Sequence, residues 1–357
     1  MSLPLPIQLD GAAGGQVLRT ALTLALVTGV PFRLGGFRAE RPSPGLRPRH
    51  LALLRAAEAV GGTAEGATLG GSEVSFTPAP VRRGDYVLEL GPTGSAPLVF
   101  QMLAFPLALA GGGTVRLRGL THARQGTSYH HLAWAWLPMV GAYGLRASLS
   151  LLQAGFSPDG VGEFRASVEA TGAPPLLVEV PARGTLHDVA VRALVGGLPF
   201  EFAGRATRAA VTALRERGIY CSAENLPLPV GRTAGSVLFV RAQFENSFAA
   251  FTVVGERGDA PDEVGTRAAA ALSAFMESGG ALDERLADQI LIPASLLAAG
   301  ALGPVEPGST RFTTARVTPH LEATRAVVER FLPVAVLLEA SGRVEVIRRP
   351  TAPSASA

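Results

Sequence analysis

Four arginines and a histidine crowd into thirteen residues, Arg38-Ala-Glu-Arg41-Pro-Ser-Pro-Gly-Leu-Arg47-Pro-Arg49-His50. Pro42, Pro44 and Pro48 stiffen this stretch, so its guanidinium forks are pre-ordered for paired contacts to phosphate oxygens. It runs into a predicted helix start, whose free N–H groups also attract anions. A polyphosphate or nucleic-acid site fits better than a solvated basic loop, because solvated loops rarely carry three prolines among their charges. Upstream, residues 10–19 (DGAAGGQVLR) join a strand to an apolar helix through small residues. Arg19, one turn inside that helix, would face the same cleft, although plain Gly-Gly turn geometry accounts for the spacing equally well. A His-Leu pair opens a predicted helix three times, at His50, His131 and His320. An imidazole at such a place can attack phosphorus, carry a proton or serve as a structural cap, and spacing does not choose among the three. Asp288 and Gln289 stand at the start of the apolar run LADQILIP. A lone carboxylate buried there needs a cation, a metal or a hydrogen-bond donor.

All 32 basic residues are arginine. A phosphate loop that depends on lysine, a Schiff-base enzyme and a transferase that adenylates lysine are therefore excluded. Any covalent nucleotide chemistry must use another nucleophile. Cys221 is the single cysteine, which rules out an intrachain disulfide and a Cys-rich zinc site. With 357 residues, 47% of them apolar and 17% charged, the chain has room for two or three packed units. The net charge of +3 mildly favours an anionic partner. The longest apolar stretch, 96–110, falls short of the ~20 residues a membrane crossing needs. Residues 1–10 carry neither a basic nor an apolar leader segment, which predicts a cytoplasmic protein with no membrane partner.

Each His-Leu pair follows the same series of predicted elements. An apolar helix (15–28, 95–110, 287–299) leads to a short strand (30–37, 114–120, 309–315) and an irregular loop. After each His-Leu helix comes a pair of alternating strands: 73–77 with 85–90, 145–151 with 163–169, and 334–339 with 343–347. The pattern predicts an α+β fold whose large domain holds three helix-strand-helix-strand-strand units. His131 lies 81 positions after His50, whereas His320 lies 189 after His131. The surplus of about 108 residues predicts a smaller inserted α/β domain, with strands at 189–195, 219–223, 236–243 and 248–254 and helices at 202–216 and 262–276. The expected domains are 1–180 (units one and two), 181–277 (insert) and 278–347 (unit three), with 348–357 a disordered tail.

Taken together, several collinear stretches resemble the RNA 3'-terminal phosphate cyclase family: LDGAAGGQVLR (9–19), RAERPSPGLRPRHL (38–51), GPTGSAPLVFQ (91–101), GFSPDGVG (155–162), LADQILIP (286–293) and HLEATRAVVERFLP (320–333). That resemblance implies a large domain of three units like those of enolpyruvyl transferases, with a smaller insert. It also implies ATP-dependent conversion of an RNA 3'-phosphate end to a 2',3'-cyclic phosphate through a histidyl-AMP and an RNA-adenylate. The family's adenylated histidine falls on His320. Its ATP and phosphate contacts fall on Arg19, Arg38, Arg41, Gln101, Asp288 and Gln289. Arg47, Arg49 and His50 are the candidates for RNA contact. ATP and a divalent ion (Mg2+ or Mn2+) are the implied cofactors, with Asp288 the candidate metal ligand. RNA ending in a 3'-phosphate is the implied partner, and a homodimer is left open.

The chain departs from the family pattern at three places. Ala13-Gly14-Gly15-Gln16 stands where the family has a longer glycine loop with a metal-holding glutamate, GEGGGQ. Arg49 replaces a glutamine, and Arg285 replaces a tyrosine that can lie against the adenine. The shortened loop favours the alternative reading, a non-catalytic cyclase-like protein that binds RNA or a ribosome-assembly factor; His320 favours the enzyme. An enolpyruvyl transferase is a weaker alternative, because the chain lacks lysine.

Overall fold

The computed structural model describes residues 4–124, 126–158, 160–172, 179–255, 258–302 and 308–350. Its backbone forms a mixed α+β protein with four small sheets. The first sheet is built from β1 (Ile7–Asp10), β2 (Phe32–Gly35), β3 (Gly62–Glu65) and β4 (Val74–Pro78), in the order β1-β2-β4-β3. Helix α1 (Gly15–Thr28) connects β1 to β2 and helix α2 (Pro48–Gly61) connects β2 to β3. The second sheet has the order β5-β6-β8-β7. It uses β5 (Gly84–Ser95), α3 (Ala96–Leu109), β6 (Gly113–Leu120), α4 (Tyr129–His131), a π-helical turn (Leu132–Trp136), α5 (Leu137–Gly141), β7 (Ala147–Gln153) and β8 (Gly162–Val168).

Strand β9 (Glu179–Val180) precedes a separate sheet and reappears as the edge of the last one. The separate sheet comprises β10 (Leu186–Gly196), β11 (Ser222–Pro227), β12 (Gly235–Phe244) and β13 (Phe248–Gly255), ordered β11-β10-β12-β13 and covered by α6 (Glu201–Arg215) and α7 (Pro261–Glu277). The last sheet takes α8 (Glu284–Ala298), β14 (Ser309–Thr313), α9 (Pro319–Phe331), β15 (Val334–Leu338) and β16 (Arg343–Arg348), in the order β15-β16-β14-β9. In the first, second and last sheets the two leading strands run parallel and the other pairings are antiparallel.

The expected strand pairing 73–77 with 85–90 is not what forms. Strand β4 pairs with β3, and β5 pairs with β6 in the next sheet. Each of these three sheets therefore has a leading strand that the expected helix-first unit leaves out. At the other end, Arg348 closes β16 and the Arg349 amide donates to the Pro333 carbonyl (2.8 Å), so these two residues, expected in the tail, are bonded to the last sheet and its flank. Residues 351–357 and Asp159 of the stretch GFSPDGVG lie outside the described residues.

The core explains where the site sits. Helices α1, α3 and α8 are apolar on nearly every face, as expected of helices enclosed by others. They share one buried cluster, with Leu18, Leu22, Leu103, Ile290 and Leu296 fully enclosed. Helix α9 packs on α1 and on α8, so the last sheet's second helix lies over the first sheet's first helix. A second cluster lies between the β10–β13 sheet and helices α6 and α7. No helix among the described residues is long and apolar enough to cross a membrane.

Candidate active site

The three histidines do not occupy equivalent places. Thr318 caps α9, its hydroxyl accepting from the Leu321 amide (3.0 Å), so His320 is the second helical residue. Ser128 caps α4 through the His131 amide (3.2 Å), and Arg47 precedes α2, so His131 and His50 are each the third. One residue is about 100° around a helix. That rotation points His50 and His131 inward, 2% and 0% exposed, alongside the position of the buried Leu321. It leaves His320 exposed.

Their hydrogen bonds follow the same division. His50 Nδ1 accepts from the Arg47 amide (2.9 Å), taking the place of a capping-box carboxylate, and its Nε2 faces Arg49 Nε at 3.3 Å. His131 Nε2 meets Gln289 Oε1 at 3.3 Å, and its Nδ1 is buried without a partner. Burial, helped by Arg49, Arg38 and Arg47, pushes His50 down to about 3. Burial and Arg285 push His131 to about 3 as well. The His320 imidazole makes no hydrogen bond to any described residue. Partial burial, then Arg19 and Arg41, lowers its proton affinity, so it stands neutral and uncommitted.

Arg19 is the central cation. Its two amino groups donate to Gln101 Oε1 (2.8 Å) and Gln16 Oε1 (2.7 Å). Among the described residues no carboxylate lies within ion-pair range, and burial brings its pKa down to about 10, opposed by Asp288. The Arg38–His50 loop folds back onto the start of α1. Arg38 adopts a left-handed φ of 54°, a strained conformation for a long side chain. Gly14, at φ 76°, leaves room for it: a Cβ there would sit 2.9 Å from Arg38 Cγ. A Cβ on Gly15 would sit 3.2 Å from His50 Nε2. The two glycines thus let an arginine and a histidine lie across the helix entrance. Arg41, Arg47 and Arg49 are exposed, and with burial they lower the Arg38 guanidinium.

Asp288 accepts from the Thr318 hydroxyl (2.5 Å). Burial pushes it up to about 7, with the Thr318 bond and Arg19 opposing and Glu284 and Asp283 adding to the rise. Among the described residues no three His, Cys, Asp or Glu side chains form a metal cluster. Asp288 offers one carboxylate, enough for an ion that takes its remaining ligands from phosphates and water. Gln289 is turned inward, donating to Thr127 Oγ1 (3.0 Å) and facing His131. It lines a cavity of about 20 Å3 together with Arg19 and Gln101. Sequence reasoning passed over Thr318, Thr324 and Gln16, although a threonine directly before Pro319 is a readable helix-capping signal.

The raised Asp288 has a signed consequence. Below about pH 4 the carboxyl is protonated in both folded and unfolded chains, the ordinary value being 3.8. Between there and about 7 only the unfolded chain ionises, so this group destabilises the fold increasingly, and fully above 7. Asp288→Asn is expected to be more stable than wild type at pH 8, with the gain vanishing at pH 4. Urea unfolding at the two pH values checks it, and equal gains would show that Asp288 does not titrate there.

The family model described as RNA 3'-terminal phosphate cyclase matches residues 10–338. The RNA 3'-terminal phosphate cyclase of Methylococcus capsulatus is 38% identical over 330 residues, covering 90% of this chain and 89% of the relative. Those of Ralstonia nicotianae and Salmonella paratyphi C are 36% and 35% identical, each match covering 96% of both chains. A match that spans nearly the whole chain and takes in Arg19, the Arg38–His50 loop, Asp288 and His320 places this protein in the RNA 3'-terminal phosphate cyclase family.

Proposed function

We propose that this chain is an ATP-dependent RNA 3'-terminal phosphate cyclase that works through a covalent histidyl-AMP. The observation that carries the reading is the exposed His320, whose imidazole bonds to no described residue and whose proton affinity is lowered by partial burial and then by Arg19 and Arg41. In the first step an imidazole nitrogen of His320 attacks the α-phosphorus of ATP, and the bond to pyrophosphate breaks. The RNA 3'-phosphate then attacks the same phosphorus, taking AMP and freeing His320. Finally the neighbouring 2'-OH attacks the RNA phosphate, expelling AMP and closing the 2',3'-cyclic phosphate. Arg19, Arg38 and Arg41 supply fixed positive charge where the phosphates gather, with Gln101 holding Arg19. A divalent ion would be held by Asp288 and would neutralise phosphate charge. Exposed Arg47 and Arg49 extend the cationic surface toward the body of the RNA.

The same reading takes the three like-ordered sheets as copies of one unit resembling that of enolpyruvyl transferases. Their shared strand order supports it. Residues 181–277 form the inserted domain, supported by its own buried cluster. Substrate choice tests the function. RNA ending in a 3'-phosphate is expected to become resistant to phosphatase when incubated with ATP, whereas 3'-hydroxyl RNA stays unchanged. A DNA 3'-phosphate, lacking the 2'-OH, should stop as the adenylate. Conversion of 3'-hydroxyl RNA at the same rate would refute the reading.

A further inference from the structure

The hydrogen bonds that hold His320 extend well beyond its own helix. Thr324, fully buried, donates to the His320 carbonyl (2.8 Å) and accepts from Gln16 Nε2 (2.8 Å). Gln16 Oε1 accepts from Arg19 (2.7 Å), whose other amino group is held by Gln101 (2.8 Å). A threonine bonding back to the carbonyl four residues earlier is ordinary in helices. Here the same hydroxyl also receives an amide 308 positions away in the chain. Both ends of the Gln16 amide are used, the oxygen toward the cation and the nitrogen toward the nucleophile's helix.

We propose that Gln16 and Thr324 are positioning residues for the nucleophile. They tie the first turn of α9 to α1 so that the His320 imidazole keeps a set spacing from the Arg19 guanidinium. At the other end of that turn Thr318 does similar service, donating to Asp288 while capping Leu321. The proposal rests on the reading of His320 as nucleophile. Attack on phosphorus tolerates little misplacement, and a shift of about 1 Å can cost about a hundredfold in rate.

The test is single-turnover labelling with α-labelled ATP over a range of ATP concentrations, using full-length wild type, Gln16→Glu, Thr324→Val and Thr324→Ser. Gln16→Glu keeps an acceptor for Arg19 and loses the donor to Thr324 but also adds a negative charge, whereas Thr324→Val breaks the same bond with no change of charge. In both Gln16→Glu and Thr324→Val the saturating rate is expected to fall at least about tenfold, with half-saturating ATP changed less than about threefold. Thr324→Ser, which keeps the hydroxyl, restores the rate. A saturating rate equal to wild type in both folded variants would overturn the proposal. So would an unchanged rate with weaker ATP binding in Thr324→Val, which would place the Gln16–Thr324 bond in nucleotide binding. A wild type that takes no label overturns the nucleophile reading instead. Positioning is then decided by the His320 imidazole resonance, expected to shift or broaden in Thr324→Val and not in Thr324→Ser; an unchanged resonance overturns it.

Discussion

His320→Ala is expected to abolish the covalent label that α-labelled ATP leaves on the wild-type chain, while His131→Ala keeps it and His50→Ala keeps part of it. The imidazole of His320 makes no bond to any described residue, and Thr318 supplies the helix cap, so its removal leaves the fold intact. His131 is buried against Gln289 and out of reach of a nucleotide. His50 holds the Arg47 amide, and its loss loosens the arginine loop, which weakens labelling without ending it. The linkage should be labile in acid and stable in base, as a phosphoramidate is. Label surviving on folded His320→Ala would refute the assignment.

Arg19→Met should separate function from stability. A buried guanidinium with no described carboxylate at ion-pair distance is a burden on the fold, and methionine fills similar space without the charge. The change strands the side-chain oxygens of Gln101 and Gln16, at about 1–3 kcal/mol for each one left buried. Relief and loss offset each other, so we expect unfolding free energy to change by less than about 2 kcal/mol. Labelling should fall by at least about a hundredfold, the scale seen when a preorganised charge is removed from a reacting phosphate or oxyanion. The pH profile should move too. Arg19 helps keep His320 deprotonated, so its removal raises the His320 pKa and shifts the acidic limb of the rate to higher pH. An unmoved limb would place the charge too far from the nucleophile to matter.

Much of this architecture was legible in the residues. The apolar helices and the strands expected at 189–195, 236–243 and 248–254 follow from periodicity. Strand β3 (GTAE) was missed because it is short, follows a helix directly and carries no apolar alternation. That omission assigned β5 to the wrong sheet. The three histidines looked alike because the His-Leu pair was taken as the frame. Proline was the better marker: Pro319 directly precedes His320, whereas Arg49 stands between Pro48 and His50, and a proline at the first helical position sets the register. The inward turn of Gln289 had no sequence signal, since it depends on Thr127 and His131 from the loop and helix that follow β6.

The Gln16–Thr324 bond spans nearly the whole chain, and this has a consequence for synthesis. A ribosome delivers Gln16, Arg19 and the arginine loop well before Thr318, His320 and Thr324. A growing chain therefore holds the arginine-rich half of the proposed site before it holds His320. On the proposed reading, His320 meets Arg19 only once these two distant lengths of chain have both been made and packed together.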